Sequence, residues 1–180
     1  MSALPPMSLS KTLLSKARLS VFAAALLGGG LVMAVDGVQP AMAFQQNVAS
    51  EVNVDADGLA LRGYDPVAYF TLGAPTEGDP AITATHNGAT YRFANAEHLA
   101  KFSADPDKYA PAYGGYCAIG TSFGRKFDGD PKLWDIADGK LYLNVAEGPH
   151  NRYLAEKAQV IPRADSKWDA IKAKAPSDLN

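Results

Sequence analysis

The clearest alternation of apolar and polar positions in this 180-residue chain lies on both sides of Asn87-Gly88. Asn-Gly is the preferred central pair of a two-residue type I′ hairpin turn. The register that such a turn imposes pairs Ile82 with Phe93, Ala84 with Tyr91, His86 with Ala89, Thr83 with Arg92 and Thr85 with Thr90. The first three pairs form a face that is apolar apart from His86. The other face is polar, as a half-buried hairpin requires.

A second hairpin is predicted around Asp138-Gly139, which is another favoured turn pair. A two-residue loop at this point places Ile136 opposite Leu141 and Trp134 opposite Leu143. The apolar pairs again share one face, so the two hairpins together predict a small antiparallel sheet.

Two capping signals follow the first hairpin. Asn95 is a suitable N-cap for a helix that runs to about Ser103, because its side chain can accept a hydrogen bond from an N–H of the first turn. Asp105-Pro106 repeats the signal with proline at the first helical position, and it predicts a helical turn that runs to about Tyr109.

The C-terminal part of the chain is predicted to hold two more helices. The first covers about residues 149–158, and the second begins at Asp165 or Ser166 and includes Trp168 and Ile171. No internal repeat is evident in the sequence. These elements predict a single α+β domain in which a small antiparallel sheet of two hairpins packs with short helices.

The amino-terminal segment has the organisation of a secretory signal peptide. Basic residues precede an uncharged, largely apolar run over residues 19–35, and Ala41-Met42-Ala43 supplies the small-x-small cleavage pattern. A retained membrane anchor is the alternative, but a spanning helix needs about 20 apolar residues and Gly28-Gly29-Gly30 interrupts this run. The sequence predicts a signal peptide over residues 1–43 and an exported protein, periplasmic or secreted, with no membrane attachment after cleavage.

Residues 44–56 are polar and lack periodicity, which predicts a flexible leader before a domain over residues 57–175. Loss of residues 1–43 removes more basic than acidic residues, so the mature chain is more acidic than the formal charge of −2 of the whole sequence. Such a chain offers no basic stripe to nucleic acid, which is therefore excluded as a partner.

Sulfur is scarce in the predicted mature chain. Cys117 is the only cysteine, so the chain cannot form an internal disulfide bond. All four methionines lie within residues 1–43. A methionine-lined copper(I) site is therefore excluded after cleavage, because copper(I) favours soft sulfur ligands and a single sulfur remains.

A set of spaced motifs resembles the YHS domain family. The matching positions are Asp65-Pro66-Val67, Gly88, Tyr91, Phe93, Phe102 and Pro106-Asp107-Lys108-Tyr109. The resemblance implies a YHS-like domain and a bound transition metal. Where the family carries its cysteines, however, this chain has Ala68, Ala94 and His98, so only His98 keeps a ligand-type side chain.

A longer pattern resembles an exported branch of the same family. It consists of Gly63-Tyr64-Asp65-Pro66-Val67-Ala68-Tyr69-Phe70 followed by Tyr113-Gly114-Gly115-Tyr116-Cys117-Ala118. In that branch the cysteine of the second motif is sometimes a selenocysteine. The resemblance implies that Cys117 is the reactive position.

Three functions remain open from the sequence. The preferred one is an extracytoplasmic YHS-type module that binds a transition metal, with copper favoured over zinc, through Cys117 as the main ligand and His98 as a second candidate ligand. The alternative is a thiol-redox enzyme with Cys117 as catalytic nucleophile, for which Arg125 and Lys126 are candidate causes of a lowered pKa. The third is a structural or protein-interaction module, with an unidentified protein partner, in which Cys117 is packed in the core.

The remaining candidate residues are aromatic or histidine side chains. Tyr113 and Tyr116 are predicted to line a pocket around Cys117, although core packing is the commoner role of such tyrosines. His86 is expected to be a strand-end polar residue beside the turn, and His150 to be a solvated residue at the start of a helix.

Overall fold

The computed structural model describes residues 46–179, which form an α+β fold. The strands are β1 (Asp79–His86), β2 (Ala89–Phe93), β3 (Asp130–Ala137) and β4 (Lys140–Asn144). The α-helices are α1 (Ala68–Thr71), α2 (Ala96–Ala104), α3 (Pro106–Tyr109), α4 (Ala118–Ser122) and α5 (Glu147–Ile171), with short 3-10 helices at Leu61–Gly63, Ala112–Gly115 and Pro176–Asp178. The predicted fold class is confirmed, and each hairpin forms a separate two-stranded sheet. The predicted signal peptide over residues 1–43 lies outside the described residues.

The first hairpin forms at its predicted turn and has an irregularity at its far end. The predicted register holds from the turn as far as Thr83, but Phe93 pairs with Asp79 where Ile82 is predicted. The shift coincides with Pro80, which has no N–H for the hydrogen-bond ladder, so an irregularity at this point is the expected result.

The second hairpin has the predicted apolar pairs and the same irregularity, here between Asp130 and Trp134. In both hairpins the aspartate before a proline accepts a hydrogen bond from the N–H two residues on. Asp79 accepts from Ala81 at 2.8 Å, and Asp130 accepts from Lys132 at 2.9 Å. The Asp-Pro pair therefore starts each longer strand in the same way.

The capping signals after the first hairpin are confirmed. Asn95 precedes α2, and its side chain accepts a hydrogen bond from the His98 N–H at 2.8 Å. Helix α3 begins at Pro106, as the Asp-Pro signal predicts.

The prediction of two C-terminal helices is wrong, because α5 is one helix of 25 residues that contains Pro162. A proline inside a helix removes one hydrogen bond and normally bends or ends it. The side chains of Tyr153, Val160, Ala164 and Ile171 are nevertheless buried on both sides of the proline. Burial of this apolar face stabilises the continuous helix.

Part of the predicted flexible leader is packed against the domain. Within residues 44–56, the side chain of Val52 is buried in the core and the Asn53 N–H donates to the Gly114 carbonyl oxygen at 2.9 Å. Residues 50–54 therefore belong to the fold, because an apolar side chain and a backbone hydrogen bond hold them.

Residues 61–171 contain one type of hairpin unit twice, although the sequence shows no repeat. The first unit covers residues 61–104 and the second unit covers residues 113–171. Each begins with a tight turn and then has a short helix, a hairpin and a further helix. The residues before α2 and α5 have nearly the same angles, φ −159° and ψ 168° against φ −158° and ψ 167°.

The starting turns of the two units match residue by residue. Their left-handed residues are Leu61, Arg62 and Gly63 with φ of 52°, 50° and 82°, and Tyr113, Gly114 and Gly115 with φ of 53°, 62° and 86°. The Gly63 carbonyl oxygen accepts a hydrogen bond from Gly78 at 2.9 Å, and Gly115 accepts one from Gly129 at 3.2 Å. The repeat therefore lies in backbone conformation and hydrogen bonding.

Two clusters of buried apolar side chains form the core. One contains Tyr91 and Phe102 of the first unit, and the other contains Tyr142 and Tyr153 at the corresponding places of the second unit, together with Cys117. No helix within residues 46–179 is both long and apolar enough to cross a lipid bilayer.

Candidate functional site

The first unit holds a buried carboxylate in a cradle of backbone N–H groups. Asp65 is fully buried, and its Oδ1 accepts hydrogen bonds from the N–H groups of Val67 at 2.8 Å and Ala68 at 3.3 Å. Its Oδ2 accepts from the Ala94 N–H at 2.8 Å. These bonds join the start of α1 to the end of β2, so Asp65 holds the two elements together.

The imidazole of His98 completes this cradle. Its Nδ1 lies 2.5 Å from Asp65 Oδ2, and its Nε2 lies 3.1 Å from Thr71 Oγ1. The ring is buried, with both nitrogens in hydrogen bonds within the domain. In this position His98 anchors α2 to the carboxylate.

Cys117 occupies the corresponding position in the second unit. Its N–H donates to the Phe127 carbonyl oxygen at 2.8 Å, as the Asp65 N–H donates to Thr76 at 2.8 Å. Its side chain serves as the N-cap of α4 and accepts a hydrogen bond from the Gly120 N–H at 3.5 Å. The residue is 1% exposed, so its sulfur belongs to the interior.

The groups around the sulfur repeat the cradle of the carboxylate. The N–H groups of Ile119, Gly120 and Val145 all favour the thiolate of Cys117. They stand where Val67, Ala68 and Ala94 donate to the carboxylate in the first unit. Burial nevertheless dominates and raises the pKa of the Cys117 thiol, because a thiolate is poorly solvated there. At neutral pH the sulfur is therefore protonated.

An apolar cavity of about 500 Å³ opens beside the sulfur. Its lining consists of Cys117, Ile119, Gly120, Phe123, Arg125, Phe127, Val145 and Pro149. Phe123 is 53% exposed and Phe127 is 42% exposed, so two aromatic rings face solvent here. Within the described residues, no side chain that lines the cavity is acidic.

Asn144 and His150 form a polar chain behind the thiol that no sequence motif predicts, and His150, expected to be solvated, is part of it. The thiol donates to Asn144 Oδ1 at 3.7 Å, and Asn144 Nδ2 lies 3.4 Å from His150 Nδ1. Asn144 is fully buried and His150 is half-buried. Their places in the fold could have indicated this contact, because Asn144 ends β4 and His150 lies in the first turn of α5.

Tyr113 and Tyr116 do not line the cavity beside Cys117. Tyr113 lines a different cavity, of about 310 Å³, and its hydroxyl donates to Asp165 Oδ1 at 2.9 Å. The Tyr116 ring packs under the Lys126 ammonium, which lies 4.8 Å from the ring centre. The cavity beside Cys117 is therefore lined by Phe123 and Phe127 and not by the two predicted tyrosines.

The two cations close to Cys117 in the chain have separate places. Arg125 lines the cavity. The Lys126 Nζ donates to the carbonyl oxygens of Ser50 at 2.8 Å, Lys172 at 2.5 Å and Lys174 at 2.8 Å. Lys126 therefore satisfies carbonyl groups beyond the end of α5, and it does not lower the pKa of the thiol.

The predicted metal pair does not fit a copper or zinc site. Cys117 and His98 have no common hydrogen-bond partner, since His98 bonds with Asp65 and Thr71 while Cys117 bonds with residues of the second unit. Within residues 46–179, no three histidine, cysteine, aspartate or glutamate side chains are grouped so as to hold a metal ion. A site built on this pair would require His98 to leave its carboxylate.

Comparison with known proteins finds no relative: no protein-family model, no curated protein and no solved structure matches the chain. The resemblance to YHS domains therefore stays a prediction.

Proposed function

We propose that this chain is an extracytoplasmic, YHS-type binding module whose binding site is the cavity beside Cys117. The observation that carries the proposal is the cavity itself, about 500 Å³ in volume, with apolar walls and a cradled sulfur. Sites for small molecules have this character, with apolar surroundings and a few fixed polar groups.

The exposed aromatic rings support a ligand site over simple core packing. Phe123 and Phe127 stand partly in solvent at one cavity, and burial of such rings by a ligand is favourable at roughly 25 cal/mol per Å² of apolar surface. Arg125 lines the cavity, and the guanidinium carbon of Arg152 lies 5.5 Å from the centre of the Phe123 ring. These charges favour a ligand that is apolar with a neutral or anionic group.

A thiol-redox function is the second candidate, and the backbone cradle favours it. In that reaction the Cys117 sulfur would attack the outer oxygen of an organic hydroperoxide. The S–O bond forms as the O–O bond breaks, the sulfur is oxidised to a sulfenic acid, and the peroxide leaves as an alcohol after taking up the thiol proton. The raised pKa of Cys117 opposes this function at neutral pH, because the thiolate is the nucleophile.

Binding of copper or zinc stays a prediction of the family resemblance alone. Among residues 46–179, Cys117 belongs to no group of three or more histidine, cysteine, aspartate or glutamate side chains that could hold a metal ion. We therefore place the function in the cavity and keep copper(I) as one arm of the test.

The experiment measures the reaction rate of Cys117 with a thiol reagent against pH, together with binding of the fluorescent probe anilinonaphthalene sulfonate. We expect probe binding, slow thiol reaction at pH 7, and protection of the thiol by the probe. Phe123→Asp should abolish probe binding, whereas Leu72→Asp should leave it intact, because Leu72 is equally an exposed apolar residue but does not line the cavity. Probe binding that survives Phe123→Asp would contradict the proposal, fast sulfenic acid formation would favour the redox candidate, and protection by copper(I) alone would favour the metal module.

A further inference from the structure

The cavity of the second unit lies where the first unit has an imidazole ring. His98 is the third residue of α2, and Pro149 is the third residue of α5. In the first unit the ring of His98 contacts the cradled Asp65 side chain. In the second unit Pro149 lines the cavity together with the cradled Cys117.

The other neighbour of the imidazole also has a counterpart at the cavity. Thr71 bonds with His98 Nε2 and lies six residues after Asp65, and Phe123 lies six residues after Cys117. Val67 and Ala94 of the first cradle likewise correspond to Ile119 and Val145, which line the cavity. Four residues that line the cavity, Cys117, Ile119, Phe123 and Val145, therefore correspond to residues that bond with His98 or with its partner Asp65 in the first unit.

The two units differ in the side chain that the helix after the hairpin places beside the cradled acceptor. In the first unit the ring N–H of His98 reaches the carboxylate from the helix side. Pro149 has no ring N–H to donate and a smaller side chain, and the cradled Cys117 lines an apolar cavity on that side.

We propose that the cavity binds a small molecule with an imidazole-type ring, whose N–H donates to Cys117 Sγ as the N–H of His98 donates to Asp65. This inference rests on the proposed function and gives its ligand a chemical class. The ring would lie among Phe123, Phe127 and Pro149, all of which line the cavity. An anionic substituent on the ring would be favoured, because Arg125 lines the cavity and no described acidic side chain does.

The test compares three probes by isothermal titration calorimetry on the protein: imidazole-4-acetate (the carboxylic acid with the imidazole ring, called imidazole acetate below), phenylacetate and histamine. Phenylacetate has the ring and the carboxylate without the N–H, and histamine has the imidazole with a cationic tail. We expect imidazole acetate to bind about fivefold or more tightly than either of the others, which corresponds to one hydrogen bond or one charge contact.

Two variants in the site and one control sharpen the result. In Cys117→Ala, imidazole acetate and phenylacetate should bind with about equal affinity, because the variant lacks the hydrogen-bond acceptor. Pro149→His should abolish binding of both acids by placing an imidazole in the cavity, as in the first unit. Leu72→Ala should change nothing.

The possible results separate the ligand class from the site. Equal binding of imidazole acetate and phenylacetate, both lost in Phe123→Asp, would overturn the ligand class and keep the site. Binding of none of these probes, together with anilinonaphthalene sulfonate binding that survives Phe123→Asp, would overturn both. If Pro149→His does not fold, the Cys117→Ala comparison alone decides whether the N–H contact exists.

Discussion

The two hairpin units place different acceptors in the same backbone cradle. In the first unit the acceptor is the Asp65 carboxylate, and the His98 ring closes the space beside it. In the second unit the acceptor is the Cys117 thiol, and an apolar cavity adjoins it. One backbone arrangement is thus closed by a histidine ring in one place and adjoins an open cavity in the other. The units differ in the acceptor, in the third residue of the helix after the hairpin (His98 or Pro149), and in the residue six positions after the acceptor (Thr71 or Phe123).

The largest effect is expected from loss of the first acceptor. Asp65→Ala would leave three backbone N–H groups and the His98 ring without their buried partner, and it should reduce the free energy of unfolding by about 3–5 kcal/mol. Cys117→Ala should cost about 1 kcal/mol, because a neutral thiol forms weaker hydrogen bonds. Urea denaturation measures both, with the exposed Asp57→Ala as a control. Equal losses at the two cradles would contradict the distinction between anchor and site.

The next largest loss of stability is expected at Gly114, where the first unit has Arg62. Arg62 and Gly114 both have left-handed backbone, but a Cβ on Gly114 would lie 1.8 Å from the Glu51 carbonyl oxygen. Gly114→Ala should therefore reduce the free energy of unfolding by about 1–3 kcal/mol. Gly124→Ala, also at positive φ but with open space around its Cβ, should cost less in the same urea experiment. If the two losses are equal, residues 50–54 do not pack on the turn of the second unit.

A smaller effect on the free energy of unfolding is expected from a change in pH, because Lys126 in the second unit has a shifted pKa. Burial lowers the pKa of Lys126 to about 8, below its ordinary value of about 10.4. Between these values the unfolded chain binds more protons than the folded chain, so this lysine makes stability rise with pH from about 8. Above pH 9 the raised pKa values of Cys117 and of buried tyrosines act in the opposite direction.

The contribution of Lys126 is isolated by comparing the protein with Lys126→Met over pH 7 to 9 in urea denaturation. The difference in unfolding free energy between the two proteins should depend on pH in this interval, and it should favour the lysine more at pH 9 than at pH 7. A difference that is constant with pH would show that this lysine keeps an ordinary pKa.

The smallest effect on stability is expected at Gly120, whose counterpart in the first unit is Ala68. A Cβ on Gly120 would lie 2.6 Å from Cδ2 of Phe127, a ring that borders the cavity and can move. Gly120→Ala should change the free energy of unfolding by less than about 1 kcal/mol but weaken binding of anilinonaphthalene sulfonate. Gly148→Ala, with open space around its Cβ, should change neither. Unchanged probe binding in Gly120→Ala would show that Phe127 does not contribute to probe binding.

Local signals predict the parts of this fold that depend on nearby residues. Asn87-Gly88, Asp138-Gly139 and Asn95 each act through the backbone within a few positions, and the hairpins and α2 form accordingly. The two hairpins form separate sheets, which the sequence does not reveal, because pairing between strands that are distant in the chain has no local signal.

Tertiary contacts determine what the sequence does not reveal. Helix α5 continues through Pro162 because its buried face is stabilised by packing, and Lys126 is buried because distant carbonyl oxygens surround it. The repeat is hidden because it consists of backbone angles and N–H donors, which different side chains can share. Cys117 is identified from the sequence as a candidate, but its cavity is formed by Phe123 and Phe127, which carry no recognisable motif.

The central claim is that the cradle of Cys117 is the open counterpart of the cradle of Asp65. The most direct test is the thiol pKa of Cys117, measured from thiolate absorbance against pH, in the protein and in Pro149→His. Burial should keep the pKa of Cys117 above its ordinary value in the protein. In Pro149→His the new imidazole should donate to the sulfur and lower that pKa, as an N–H bonded to a thiolate favours the charged form. The same raised pKa in both proteins would contradict the correspondence between the two units.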